Sequence, residues 1–419
     1  MCEPGHRTRM IPRSWSRANP VVVVLGAAGA VAAAAPGFGQ CYYSVAQFPS
    51  PINCPWPWGP DIPTPEALND LGIWVGHVDQ CPENDNWDYG LRWSPAEGWT
   101  VLPFPPGAIS AQAFGINDAG VTVGMVAYPA APFESACIWT DSGMVVLPPP
   151  EGSNKCWAED VNGSMQVVGA RGGMSSGYHP FVWENGRFID IPLSGFSRGV
   201  ARVINDEGVV AGVLESPLFR AFRWTAGDLE ILEPLPGAPR SLAYSISARG
   251  WVVGNSNYIP STVQLPIPTY WPAHDPVALP PLAGFQGGWL HDCNTKGVFV
   301  GISVQPFPNV NYTGTVWYHG IPYKLKDLTP GFNTGWPKAI NDAGQILASG
   351  PISGGLPGVY LLTPIAPPAC DITGDCRVDG HDLATLLTEW GTRGIVADLN
   401  GDRTVDGADL GLLLGDWTG

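Results

Sequence analysis

The sequence predicts an all-β chain, a seven-bladed β-propeller of four-stranded repeats of about 45 residues, followed by a small α-helical C-terminal segment carrying two calcium loops. Three observations predict it. A ten-residue string recurs seven times, an aromatic strand follows each copy at a near-constant distance, and a shorter acidic duplication closes the chain.

The recurring strings are ALNDLGIWVG (67–76), GINDAGVTVG (115–124), DVNGSMQVVG (160–169), VINDEGVVAG (203–212), SISARGWVVG (245–254), DCNTKGVFVG (292–301) and AINDAGQILA (339–348). Their anchors are Asn69, Asn117, Asn162, Asn205, Ser247, Asn294 and Asn341, and each defines one unit. Half a repeat further on comes an aromatic: Trp93, Trp139, Trp183, Trp224, Trp271, Trp317 and finally Tyr360. A turn and a short apolar segment ending in proline or leucine follow, as in WTVLP (99–103) and LEILEP (229–234).

Each unit therefore reads as four short strands. The first ends at the anchor, where an Asn side chain caps a tight turn and glycine supplies positive φ. The alternating apolar run is the second strand, the aromatic strand the third, and the segment ending in proline the fourth. One such sheet cannot close a core alone, so successive units must pack face to face. Unit seven runs out after GVYLLTP without a fourth strand, while YYSVAQFP (42–49) precedes the first unit as an orphan strand. Pairing these two would close the ring and hide two open sheet edges.

Composition agrees with a turn-rich β chain. The 53 Gly and 44 Pro supply 97 of 419 residues, charged residues make up 14%, and the net charge is −16. Long charged helices do not fit that composition, and a phosphate backbone is excluded as a partner by the acidic balance and the lack of a basic patch.

Arg7, Arg9, Arg13 and Arg17 precede an apolar run from Val21 to Ala35 and then small residues. That is the order of a secretory signal, with cleavage expected near Gly39 or Gln40. The segment 1–40 is thus read as an export signal and the mature chain as secreted, with no membrane span. Beyond it lie Cys41, Cys54, Cys81, Cys137, Cys156, Cys293, Cys370 and Cys376. This is an even count in a chain bound for an oxidising compartment. Cys370 and Cys376 are near enough in sequence for a local bridge; the other pairings stay open.

The units resemble the HAF repeat of bacterial extracellular proteins, on the IND-x-G-x-VVG string, the Trp strand and the G-x-x-x-x-LP ending, over about residues 42–363. The triplet that names the family survives in altered form as HPFVW (179–183), RAFRW (220–224) and ACIW (136–139). That resemblance implies a propeller-like domain, placed here at 41–362, and export, with no particular chemistry.

After a Pro-rich linker (363–369), the segment 370–419 contains ten acids and three arginines. DITGDCRVDGHD (371–382) and DLNGDRTVDGAD (398–409) are two copies of one pattern, and Leu383, Leu386, Leu387 and Trp390 after the first repeat as Leu410, Leu413, Leu414 and Trp417 after the second. Both sets fall on a helical spacing. Oxygen ligands at loop positions 1, 3, 5, 9 and 12, with a carbonyl at 7, are the order of a calcium loop opening a helix. They would be Asp371, Thr373, Asp375, the Arg377 carbonyl, Asp379 and Asp382, and Asp398, Asn400, Asp402, the Thr404 carbonyl, Asp406 and Asp409. Two Ca2+ ions are expected, driving the folding of a segment too small to hold itself together.

This pattern, with Asp at position 12 and L-x-x-L-L-x-x-W after each loop, is similar to a type I dockerin. The resemblance implies a cohesin partner, read by Gly380 with His381 and Gly407 with Ala408, and attachment to a cell-surface or polysaccharide-degrading assembly. Position 6 holds Cys376 and Arg403 where glycine is usual, and a Cys370–Cys376 disulfide would brace the first loop.

No catalytic residue is assigned. Gly173-Met-Ser175-Ser-Gly177 fits a hydrolase nucleophile pattern, but that pattern needs a following helix and this string lies between two strands. Asp118, Asp206 and Asp342 are read as turn residues. Trp157, Trp289 and Trp336 lie five residues before their anchors and would gather near the channel, to stack on sugar rings or to pack between blades. The reading is a secreted, non-catalytic binding module. The alternatives are a polysaccharide hydrolase or lyase whose acids converge across blades, and an adhesion protein.

Overall fold

The computed structural model describes residues 43–48, 63–79, 88–130, 132–173, 177–256, 265–305, 311–318, 320–329, 335–351, 357–365, 370, 372, 378–392, 397–400, 402 and 404–417. The expected export signal, Ser175, the first-loop residues Asp371, Thr373, Asp375 and Arg377, and Cys376 lie outside them. Among the described residues no helix is long and apolar enough to cross a membrane.

The chain is a β-propeller. Unit four shows how a repeat folds: Arg198–Ile204, Val210–Glu215, Arg220–Thr225 and Asp228–Leu232 form an antiparallel four-stranded meander. The turn after the anchor needs a left-handed residue. Gly208 supplies it at φ 76°, and Met165 does so in unit three at φ 64°. The innermost strands are Thr64–Leu68, Ser110–Ile116, Lys155–Val161, Arg198–Ile204, Ser241–Ile246, Gly287–Cys293 and Trp336–Ile340. Each contacts its two neighbours in turn, and the last returns to the first around a central channel.

Seven separate blades are not what forms. Five four-stranded sheets stand alone, while the strands of units two and three join in one eight-stranded sheet. The link is a parallel bridge of Lys155 to Glu134, supported by Phe133 N–H on the Asn154 carbonyl at 2.9 Å and by a Lys155–Glu134 ion pair at 2.5 Å. Among the described residues helix is confined to three short pieces. Two nine-residue helices, Gly380–Thr388 and Gly407–Gly415, form in the C-terminal segment, and Leu325–Leu328 makes one turn in unit six that the strand pattern does not predict.

The orphan strand pairs as its pattern requires. Tyr43–Phe48 runs antiparallel to Pro357–Pro364 and completes the sheet of unit seven. The Tyr43 hydroxyl meets that of Tyr318 at 2.5 Å, and Phe48 is buried against Trp74 and Trp93, with ring centroids 5.5 and 4.4 Å away. Repeat tryptophans tie adjacent units: the indole N–H groups of Trp139, Trp271 and Trp317 donate to the carbonyls of Pro103, Glu233 and Pro280 in the preceding unit, at 2.6–2.8 Å. These bonds join the aromatic strand to the segment that ends the preceding unit in units two, five and six.

Closure by an N-terminal strand makes Phe48 a keystone. Phe48→Ala should cost about 3–5 kcal/mol of stability. The check is the shift of the urea unfolding midpoint at unchanged m-value.

Candidate functional site

The channel is built on the anchors. Each anchor Asn accepts, through Oδ1, the N–H four residues on, at 2.8–3.0 Å. Its Nδ2 donates to the carbonyl of the next anchor: Asn69 to Asn117, Asn117 to Asn162, Asn162 to Asn205, Asn205 to Ser247, Asn294 to Asn341 and Asn341 back to Asn69, at 3.0–3.2 Å. Ser247 receives the N–H of Trp251 on its hydroxyl, 3.2 Å away, but its side chain is too short to continue the ring to Asn294. One residue further on, the carboxylates of Asp118, Asp206, Asp342 and Asp70 accept the N–H of the neighbouring unit at 2.7–2.8 Å. These aspartates knit one mouth of the channel together.

Three residues before each anchor, every inner strand carries a β-bulge. A bulge re-aims the side chain of its extra residue. Here the re-aimed residues are Glu66, Phe114, Glu159, Arg202, Tyr244, His291 and Lys338, all lining a cavity of about 710 Å³. No two neighbours are alike. The bulge also brings the inner-strand backbone close to the second strand. A Cβ on Gly76, Gly124, Gly169, Gly212, Gly254 or Gly301 would fall 1.9–2.1 Å from an inner-strand carbonyl oxygen. That recurring glycine is the mark the bulge leaves in the sequence, and the varied position beside the inner-strand anchor is the mark of the site; the strand pattern alone points to neither.

The ring is internally wired. Lys338 Nζ lies 2.6 Å from Glu66. Glu159 accepts from the indole N–H of Trp157 at 2.8 Å, and burial raises its carboxyl above the usual range although Arg202 opposes this. His291 donates Nδ1–H to the Pro337 carbonyl and accepts Trp289 N–H on Nε2, both at 2.5 Å; burial holds its pKa down to about 4, so the ring is neutral. Arg202 lies over the Tyr244 ring, 5.5 Å from its centroid.

Beside the ring, Asp160 and Asp292 clasp adjacent units. Asp160 accepts from Val161 and Ile204 N–H, and Asp292 from Cys293 and Ile340 N–H and the Ser245 hydroxyl. Burial outweighs these donors and pushes the two pKa values up to about 7 and about 6.

The expected aromatic residues stand five residues before their anchors, at the mouth opposite the aspartates. Trp289 lines the cavity; it lies 6.0 Å from Tyr312, which lies 6.3 Å from the half-exposed Trp336. Trp157 sits in unit three with Tyr178 at 4.9 Å. His179 is in the same strand as Tyr178, Gly177–Glu184, and the Gly173–Gly177 connection joins two strands, with no helix after it.

In the C-terminal segment, Asp398, Asn400 and Asp402 converge: Asp402 N–H reaches both Asp398 and Asn400, and the Asn400 amide donates to Asp402 at 2.9 Å. Thr404 N–H donates to Asp402. These are hard oxygen donors of the kind calcium takes. Asp379 and Asp406 cap the two helices through His381 and Ala408 N–H, and Asp382 and Asp409 complete the capping boxes. Gly380 and Gly407 are the first helical residues. Asp409 is fully buried; burial opposes its ionisation, yet the N–H groups of Asp406, Asn400 and Leu399 hold its carboxyl below the usual range. Among the described residues no group of three or more acidic, His or Cys side chains is gathered as a metal cage. Among the described residues Cys370, in the buried core of this segment, and Cys137, Cys156 and Cys293, buried in the propeller, have no disulfide partner.

No family model matches the chain, and no curated protein matches it. Among solved structures it is similar to the β-propeller domain of the Trilobed protease from Pyrococcus furiosus, at 8% identity and TM-score 0.48 over 72% of this chain and 93% of that one. An oligogalacturonate lyase in complex with manganese aligns at 11% identity and TM-score 0.44, over 73% of this chain and 97% of that one. TolB from Acinetobacter baumannii aligns at 9% identity and TM-score 0.36, over 72% of this chain and 85% of that one. Resemblance at this level leaves the site to be read from its own side chains.

Ser247→Asn supplies the missing donor to Asn294 and should stabilise the propeller by about 1 kcal/mol, measured by chemical denaturation. The raised pKa values of Asp160 and Asp292 mean that the folded state holds protons the unfolded state has released. Their contribution to stability therefore falls as pH rises from about 4 to about 7. Asp160→Asn should flatten that slope in urea midpoints compared between pH 5 and pH 8.

Proposed function

We propose that this protein is an exported binding module that receives a glycan at the tryptophan-bearing mouth of its channel, with no catalytic residue of its own. The observation that carries the reading is the bulged position: the same place in each unit, aimed into one cavity, holds acids, cations and aromatics, next to Trp289 and the Trp336–Tyr312 pair. A scaffold position would repeat; a recognition position varies. Aromatic faces with a few fixed polar groups are how concave sites hold and orient a ligand. Residues 1–40 would direct export, residues 41–362 bind, and residues 370–419 attach the module to a cohesin-bearing assembly through a calcium-dependent dockerin-like fold. In that fold Asp398, Asn400, Asp402, the Thr404 carbonyl, Asp406 and Asp409 would serve the second ion. Asp371, Thr373, Asp375, the Arg377 carbonyl, Asp379 and Asp382 would serve the first. Gly380, His381, Gly407 and Ala408 would face the cohesin.

A second reading has its own support. Glu66 and Glu159 face the same cavity and feel one another's charge; burial favours the protonated form of Glu159, while Glu66 pairs with Lys338. Two carboxyls facing one space, one of them raised by burial, are the kind of pair a glycoside hydrolase uses.

One experiment separates the two. The full mature chain, with calcium, is incubated with a panel of plant, algal and bacterial polysaccharides, and both retention and reducing-end release are measured. Retention that Trp289→Ala weakens about tenfold or more, without release, is expected. Release abolished by Glu159→Gln would make the protein an enzyme. In the same preparation, added Ca2+ should change the near-ultraviolet signal of Trp390 and Trp417, and Asp398→Ala should reduce that response.

A further inference from the structure

The channel polar groups are satisfied by one another in most sectors. Glu66 is paired with Lys338, Glu159 with Trp157, and both nitrogens of His291 are engaged. Between units four and five they are not. The Arg202 Nε is buried with no hydrogen-bond partner, and among the described residues no ion pair involves this guanidinium. Asn255, 1% exposed and lining the same cavity, has an Nδ2 with no partner. Tyr244 lies with them, under the guanidinium. Leaving two buried donors unmade costs stability, so such a pair calls for an acceptor from outside the chain.

The sector also lacks the tryptophan that other units carry. Five residues before the anchor, where units three, six and seven carry Trp157, Trp289 and Trp336, units four and five carry the smaller Val200 and Leu242. Leu242 is the residue opposite Asn255 across the strand pair. In the remaining units the position of Asn255 is taken by His77, Met125, Ala170, Val213, Ile302 and Ser349, so an unpaired amide here belongs to unit five and not to the repeat.

We propose that Arg202 and Asn255 receive the carboxylate of an acidic sugar, a hexuronate, whose ring lies against Tyr244. This rests on the glycan-binding reading and deepens it. A guanidinium matches a carboxylate in charge and geometry, its Nε–H here has no partner, and the neighbouring amide supplies a further donor. The adjacent Glu159 has its carboxyl held by the Trp157 indole N–H, and burial raises its pKa while Arg202 opposes that. The aspartates at residues 70, 118, 206 and 342 belong to the opposite mouth, each with one carboxylate oxygen committed to a backbone N–H. A neutral sugar would leave the guanidinium unpaired, which gives the site a reason to prefer the acid.

The test is calorimetric titration of the full mature chain with trigalacturonate, its methyl ester and a neutral hexose trimer, and with the corresponding glucuronate series. Hydrogen bonds to charged groups set the expected scale, and the acid should bind about ten- to a hundredfold more tightly than its ester. Arg202→Gln should remove that preference while leaving the thermal midpoint in place, and Asn255→Leu should reduce it. Equal binding of acid and ester, or a preference that survives Arg202→Gln, would overturn this inference and leave the channel as a site for neutral glycans, still sensitive to Trp289→Ala. Binding of no sugar in either series or in the polysaccharide panel would overturn both readings.

Discussion

A buried amide at the end of six of the seven inner strands holds this molecule together. The anchor Asn closes its own turn with one atom and grips the neighbouring unit with another, so a local turn and a long-range contact are the same residue. Because these side chains are buried, losing one would strand backbone groups without water to replace it, and the penalty exceeds the modest net gain of an ordinary hydrogen bond. The aspartate after the anchor and the clasps from Asp160 and Asp292 add further links at the same radius. The channel wall is therefore tied from unit to unit, and a site built there is held on paired strands.

The bulge converts that rigidity into a recognition surface. A regular strand in this position would alternate its side chains between the two flanking units; the extra residue points one of them into the channel instead. Room for the displaced backbone comes from the second strand, where glycine recurs in units one to six. Scaffold and site are thus separated by a single position in the repeat, and the side chain at that position is free to vary without disturbing the packing on either side.

The C-terminal segment solves a different problem with comparably few residues. Its two helices are nine residues long and share one small core of Cys370, Val378, Leu386, Ala397, Val405 and Leu413. The loop carboxylates at Asp379 and Asp382, and at Asp406 and Asp409, double as helix caps, which ties the acidic loops to helix formation. The apolar face read from spacing is only half used: Leu386 and Leu413 are buried, whereas Leu387, Leu414, Trp390 and Trp417 are largely exposed. Two short helices do not offer enough partner surface to cover a stripe of that width.

The repeat itself determined the strand order of each unit, the anchor turn, the closing strand at Tyr43–Phe48 and the two C-terminal helices, because each is a local pattern of period, turn chemistry and apolar spacing. What needed the tertiary structure was everything that depends on how units meet. The fusion of units two and three hinges on one parallel bridge between Lys155 and Glu134, which no period encodes. The ring of Glu66, Phe114, Glu159, Arg202, Tyr244, His291 and Lys338 draws one residue from each unit, and these reach one cavity only when the circle closes. Each looks ordinary in its own unit, and the chemistry they share exists only in the space between them.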